Sequence, residues 1–156
     1  MYRRTASAVF LGLLSLLVLR LWILEPTVVE STSMAPTITA GSVIWLDKVS
    51  PGVAGIRSGD LVTFRNPDDG AMMVKRVVAV AGQEVSMQDG VLQIDGTAVS
   101  EPFVDQRTID GMYFGLVRVG EGELFVLGDN REESIDSRRF GPIRTDAVEA
   151  RIMGIR

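Results

Sequence analysis

The chain divides by pattern into two unequal parts. From Ala6 to Leu24 it reads ASAVFLGLLSLLVLRLWIL, apolar all round and interrupted only by Ser7, Ser15 and Arg20. At about 1.5 Å per residue such a helix is roughly 28 Å long, close to the ~30 Å of bilayer hydrocarbon. Arg20 stands near the far end, where its stem can snorkel to the headgroups, and Trp22 suits the same interface. Arg3 and Arg4 precede the run, while Glu25 and Glu30 follow it. The positive-inside rule then predicts a cytoplasmic N-terminus over residues 1–5, one transmembrane anchor over 6–24 and an extracytoplasmic domain over 25–156. A cleaved signal peptide shares the basic flank, but Glu25-Pro26-Thr27 is a poor small-residue cleavage site and Arg20 breaks the run. A buried core helix fits less well, because the segment is apolar around its whole circumference.

After Pro26 the period shortens to that of strands. β-like runs fall at 43–49, 60–65, 72–81, 84–87, 91–95, 113–119, 123–127 and 147–155. Asp89-Gly90 and Asp95-Gly96 are strong hairpin signals between apolar runs, and Pro51-Gly52 and Asn66-Pro67 punctuate other joins. The pattern predicts a mostly β, antiparallel, sheet- or barrel-like domain with few helices beyond the anchor. Residues 100–112, SEPFVDQRTIDGM, read as a loop, an exposed excursion between the central hairpins and the last strands. There is no internal repeat and no low-complexity tract.

Composition sharpens this mainly by what is missing. Among 156 residues there is no Cys and no His. Disulfides, thiol nucleophiles, CxxC redox motifs and Cys/His zinc sites are excluded, as are a Ser-His-Asp triad and any histidine base. A base working near neutral pH must be Lys, Asp, Glu, Tyr or the terminal amine. Only two lysines exist, Lys48 and Lys75. A hydrophobic fraction of 46%, a charged fraction of 23% and a mean hydropathy of +0.22 fit one greasy segment joined to one folded domain. The net charge is -4, and residues 25–156 carry 13 basic against 20 acidic residues, a net of -7. That acidic balance argues against a nucleic-acid-binding surface.

Three stretches could carry chemistry. The first is Ser31-Thr32-Ser33-Met34-Ala35-Pro36-Thr37, just beyond the anchor. By composition it reads first as a Ser/Thr-rich linker, although Val28, Val29 and Met34 are unusual in one. The second is 72–80, MMVKRVVAV, where Lys75 interrupts an apolar strand and shares a face with Met73, Val77 and Ala79. On a central strand that face would bury the ammonium, lower its pKa and make Lys75 a general base. On an edge strand the same residue is a solvated gatekeeper. Lys48, beside Asp47, reads as an ordinary exposed lysine. The third is 128–142, GDNREESIDSRRFGP, a polar run after an apolar strand. It reads as a surface loop, or as a cation site from Asp129, Asn130 and Asp136 unless Arg131, Arg138 and Arg139 pair with the carboxylates.

Taken in order, these segments resemble type I signal peptidases, the membrane-bound Ser/Lys leader peptidases of the S26 family. The resemblance covers nearly the whole chain: anchor, Glu25-Pro26, Ser33-Met34-Ala35-Pro36-Thr37, Gly59-Asp60-Leu61-Val62-Thr63-Phe64, Lys75-Arg76-Val77-Val78 and Gly128 through Pro142. The Gly-Asp-Asn-Arg…Ser-x-Asp-Ser-Arg stretch is highly specific. The resemblance implies that Ser33 is the nucleophile and Lys75 the general base. Ser134 matches the hydroxyl that orients the lysine, and Ser31 the hydroxyl that joins the Ser33 N–H in the oxyanion hole. Asp129 with Arg76, and Asp136 with Arg138, match structural ion pairs. Val29, Met34, Ile38 and Val74 match positions that line the substrate pockets. After Lys75-Arg76 the family pattern Val-Val-Gly-x-Pro-Gly-Asp is replaced by Val77-Val78-Ala79-Val80-Ala81-Gly82-Gln83, which relaxes the turn but loses no catalytic position. The chain is also short, so the second β subdomain of larger members must be small.

The function implied is removal of signal peptides from exported preproteins after small residues, Ala-x-Ala in type, at the outer face of a bacterial plasma membrane. The partners are preprotein signal peptides and the lipid bilayer, without cofactor, metal or nucleic acid. A specialised Ser/Lys maturation peptidase, for example for a conjugative pilin, would use the same residues. A self-cleaving repressor shares the dyad but needs a helix-turn-helix where this chain has an apolar span. A catalytically dead tethered domain would not need Ser33, Lys75 and Ser134 together.

Overall fold

The computed structural model describes residues 24–105, 109 and 111–156, together with Phe10 and Gly12. Apart from Phe10, Gly12 and Leu24, the expected anchor over 6–24 lies outside the described residues. Among the described residues no helix is long and apolar enough to cross a membrane.

Two antiparallel sheets make up the fold. The larger holds β1 (Leu24–Val28), β2 (Val43–Asp47), β3 (Leu61–Arg65), β4 (Met72–Val80), β9 (Glu123–Leu127), β10 (Ile143–Arg144) and β11 (Val148–Ile155), in the order β1-β2-β11-β3-β4-β9-β10. The smaller holds β5 (Glu84–Gln88), β6 (Val91–Ile94), β7 (Thr97–Ala98) and β8 (Phe114–Arg118), in the order β7-β6-β5-β8. Short helices occur at Ser50–Ala54 and Ser137–Phe140. The eight expected strands all appear, with ends shifted by two residues or fewer.

Both Asp-Gly pairs form two-residue hairpin turns. Asp89 and Gly90 have φ of 47° and 73°, and Asp95 and Gly96 have 51° and 72°. Left-handed backbone at both central residues is what a type I′ turn requires, and Asp tolerates it better than most residues. These turns build β5, β6 and β7 as a continuous meander.

β4 is the spine of the molecule. Its first half pairs with β3, from Met72 opposite Arg65 to Arg76 opposite Leu61. Its second half pairs with β9, from Arg76 opposite Leu127 to Val80 opposite Leu124. The register slips between Val77 and Ala79. Simple alternation therefore fails there: Met73 and Val77 pack in one core cluster with Val62, Phe64 and Val126, whereas Ala79 packs with Val85, Met87 and Leu92 beside the small sheet.

β1 had no strand signal, because Glu25 and Pro26 read as the flank of the apolar run. It survives as a strand because it is the sheet's edge, where a proline costs no ladder bond; Pro26 faces Trp45. Residues 100–112 are also not an exposed excursion. Among its described residues Glu101, Val104 and Ile109 are buried, Glu101 because it meets a partner described below.

Candidate active site

Ser31 to Thr37 leaves the edge strand in a tight turn rather than a linker. Backbone bonds from Ala35 N–H to Thr32 O at 3.0 Å and from Ile38 N–H to Met34 O at 2.8 Å close it. Met34 and Ile38 lock it down, since both are buried in a cluster with Val29, Ile44, Leu46 and Ala150. Ser33, immediately before Met34, is itself buried.

Lys75 sits on β4 opposite Val62 of β3, one residue before the pairing with β9 begins, and its burial excludes the solvated gatekeeper. Its side chain is 1% exposed. Nζ donates to Ser33 Oγ at 2.7 Å. Burial lowers the lysine pKa to about 8, because desolvation penalises the ammonium; Arg138 pushes the same way, and Asp136 and Asp129 partly oppose. A lysine in this setting loses its proton within reach of physiological pH. The same contact then runs in reverse, with the serine O–H donating to the amine.

The polar run after β9 fixes this pair from the far side. Asn130 N–H donates to Ser33 O at 3.1 Å, and Asn130 Nδ2 reaches Thr32 O at 3.4 Å. Glu133 accepts from Thr32 Oγ1 at 2.8 Å. Arg76 grips Asp129 with both prongs, Nε to Oδ1 at 2.8 Å and Nη2 to Oδ2 at 2.7 Å. Arg138 grips Asp136 in the same way, at 2.8 Å on each oxygen, while Asp136 also accepts from Gly128 N–H at 3.0 Å. Such forked pairs set a geometry as well as a charge. They also use the carboxylates that a cation site would have needed. Among the described residues no cluster of three or more acidic side chains is placed to hold a metal.

Gly128 is required by close approach. A Cβ there would lie 2.2 Å from Ser134 Oγ and 2.6 Å from Ser33 O, far inside van der Waals contact. The strand end and the Ser33 turn are thus in backbone contact.

Ser31 Oγ accepts from Ser33 N–H at 3.1 Å, so the donor of the expected oxyanion hole is capped by the neighbouring hydroxyl in this resting state. Ser134 differs from its expectation. Its Oγ is buried against Gly128 and makes no hydrogen bond among the described residues, so the expected bond to Lys75 is not formed. An adjacent groove of about 370 Å³ is lined by residues 27–31, by Ser33 and Met34, and by Met72, Met73, Val74 and Lys75 of β4. It lies where the sheet curls, bringing the chain after β1 against the start of β4. Ile38, expected in the pocket, is fully buried and does not line the groove, because it serves the core beneath the turn. Met72 and Met73 were missed as lining residues, since on sequence they are merely the start of an apolar strand.

An antiparallel β domain with an abutting serine and lysine beside an apolar groove defines a class, the serine peptidases without histidine. Residues 2–155 match the profile of the family described as "Signal peptidase, peptidase S26". The chain is 34% identical over 140 residues to signal peptidase I of Bacillus licheniformis, covering 85% of this chain and 75% of that one. It is 31% identical over 156 residues to signal peptidase I T of Bacillus subtilis strain 168, covering 94% and 81%. The crystal structure of a signal peptidase I from Enterococcus faecalis V583 superposes with a TM-score of 0.55 at 30% identity, over 62% of this chain and 95% of that one. The chain belongs to the signal peptidase S26 family and is a serine peptidase, a hydrolase. That membership supports removal of signal peptides from preproteins as its activity.

Proposed function

We propose that this protein is a membrane-anchored signal peptidase I that cleaves exported preproteins after small residues, with Ser33 as nucleophile and Lys75 as general base. The observation that carries the reading is the 2.7 Å contact between Lys75 Nζ and Ser33 Oγ in a dry setting. Neutral Lys75 takes the hydroxyl proton as Ser33 Oγ attacks the scissile carbonyl. The incoming carbonyl oxygen displaces Ser31 Oγ from the Ser33 N–H. The freed Ser31 hydroxyl turns to become a second donor to the developing oxyanion. Each such donor is worth about 3–4 kcal/mol in the transition state. Protonated Lys75 then gives its proton to the leaving amine, and a water activated by the same amine releases the acyl product. A shallow groove with Val29, Met34 and Val74 in its lining accepts small side chains such as Ala and excludes large ones.

The apolar run over 6–24 tethers the domain to the outer face of the bacterial plasma membrane in a single pass, where signal peptides emerge. The test is processing of a preprotein in detergent by wild type beside Ser33→Ala. Cleavage by wild type and none by the variant is expected; full activity of Ser33→Ala refutes the nucleophile.

A further inference from the structure

The two arginines that brace the nucleophile turn are both covered by one short stretch of chain between the small sheet's β7 and β8. Arg131 is 1% exposed. Its Nε donates to Gly128 O at 3.0 Å, and its Nη2 pairs with Glu101 Oε1 at 2.5 Å. Two residues further on, the Phe103 ring lies under Arg76, with Cζ 3.8 Å from the ring centroid. Arg76 is the residue that grips Asp129. Gly128 and Asn130, on either side of Asp129, both meet Ser33 O.

A buried pair such as Glu101–Arg131 contributes little net stability, because desolvation offsets most of the attraction. Its geometric effect is larger. Arg131 is held between the carbonyl of Gly128 and a carboxylate from the chain that follows β7, so Gly128 cannot shift without breaking one of the two contacts. Gly128 in turn abuts Ser33 O closely enough that a Cβ would meet it at 2.6 Å.

We propose that residues 101–103 form a positioning strap for the peptidase reaction, in which Glu101 acts through Arg131, and Phe103 through Arg76, to hold Gly128–Asn130 against the Ser33 turn. Neither side chain lines the groove, so both are positioning residues rather than catalytic ones. The inference rests on the Ser33/Lys75 reading above and gives the small sheet a part in that chemistry.

The test is steady-state cleavage of a synthetic signal-peptide substrate by the full chain in detergent, at a temperature where circular dichroism shows each variant folded. Glu101→Gln should lower kcat by about tenfold or more while KM stays within about twofold, since misplacing the nucleophile without touching the groove slows the chemical step. Arg131→Gln should do the same, and the double variant should be no slower than the slower single one, as expected of two residues acting as one unit. Phe103→Leu keeps the apolar volume and should lower kcat by roughly threefold. Wild-type kcat in folded Glu101→Gln, or losses that multiply in the double variant, overturns the strap. If Glu101→Gln does not fold, wild-type kcat in folded Phe103→Leu overturns it instead. Failure of the dyad reading shows elsewhere, in Ser33→Ala retaining activity.

Discussion

The two lysines of this chain carry the same amine in opposite surroundings. Lys48 follows β2, about half exposed, and bonds Glu25 across the sheet's edge. Lys75 lies mid-strand opposite Val62, almost wholly buried, with its amine against a serine hydroxyl. The sequence already separates them, since Lys75 interrupts an apolar run and Lys48 stands beside Asp47 just past one. What the structure adds is cover. A long side chain just past a strand's end reaches water, whereas one within a strand and against the Ser33 turn does not. Reactivity here is a consequence of that burial.

The comparison breaks most sharply if Lys75 is made apolar. Lys75→Met keeps the length of the side chain and removes the amine. Preprotein cleavage should fall by at least ~10³-fold, the scale of losing a general base together with its orienting contact. Stability should move the other way. The folded pKa of about 8 lies below the ordinary 10.5, so below pH 8 the folded state holds a charge it would rather shed. That penalty, about 3 kcal/mol at about 1.4 kcal/mol per pKa unit, is present at pH 7 and fades as pH rises from 8 to 10.5. Lys75→Met should therefore melt several degrees above wild type at pH 7, with the gain shrinking toward pH 10.5. A variant that melts lower at both pH values shows that the amine stabilises the fold and that the burial cost is misjudged.

The pH dependence of wild type tests the same burial without a mutation. Only neutral Lys75 can take the serine proton, so kcat/KM should rise with pH through a midpoint near 8. Between pH 6 and 9 the neutral fraction grows by about 100-fold, and the rate should follow it. A midpoint near 10, the value of a solvated lysine, would show that Lys75 is not held dry.

Much of this was legible because it is local or ordered along the chain. Alternation marked the strands, and Asp-Gly marked the hairpins because few other pairs accept two left-handed residues in succession. Ser33 and Lys75 stood out because the chain has no histidine and because the motifs came in a familiar order. What was illegible depends on partners far apart. Glu101 looked like part of an exposed loop, since nothing nearby announces that Arg131, 30 residues on, will bury it. Ile38 looked like a pocket residue until the turn beneath Ser33 drew it into the core. β1 was hidden by Pro26, which is permitted only because that strand is an edge. The slip between Val77 and Ala79 is a property of the pairing with β9 and has no signature in β4 alone.

A smaller effect is expected at Ser134. Its hydroxyl makes no hydrogen bond among the described residues, so Ser134→Ala removes a buried polar atom without breaking one there. The melting temperature should be unchanged or slightly higher, since a buried unsatisfied hydroxyl is a cost. If the hydroxyl rotates to Lys75 once the lysine is neutral, kcat should fall by about tenfold with KM unchanged, less than the ~10²-fold that misplacing a reacting group by 1 Å can cost. Wild-type kcat with a raised melting temperature would assign Ser134 to packing against Gly128 alone.

The smallest effect belongs to Lys48. Exposed ion pairs contribute about 0–1 kcal/mol, and they weaken with salt. Lys48→Ala should leave kcat/KM within about twofold and lower the melting temperature by no more than about 2 °C, a difference that vanishes in 1 M salt. The outcome is informative because β1 runs directly into the Ser31–Ser33 turn, and Lys48 is the residue that bonds Glu25 on that strand. A loss of tenfold or more would mean that the edge strand transmits its position to the nucleophile. The contrast would then lie in distance from Ser33, since both amines would bear on the same reaction. A neutral result confines control of Ser33 to the turn's own core anchors, Met34 and Ile38, and to the Gly128–Asn130 loop behind it.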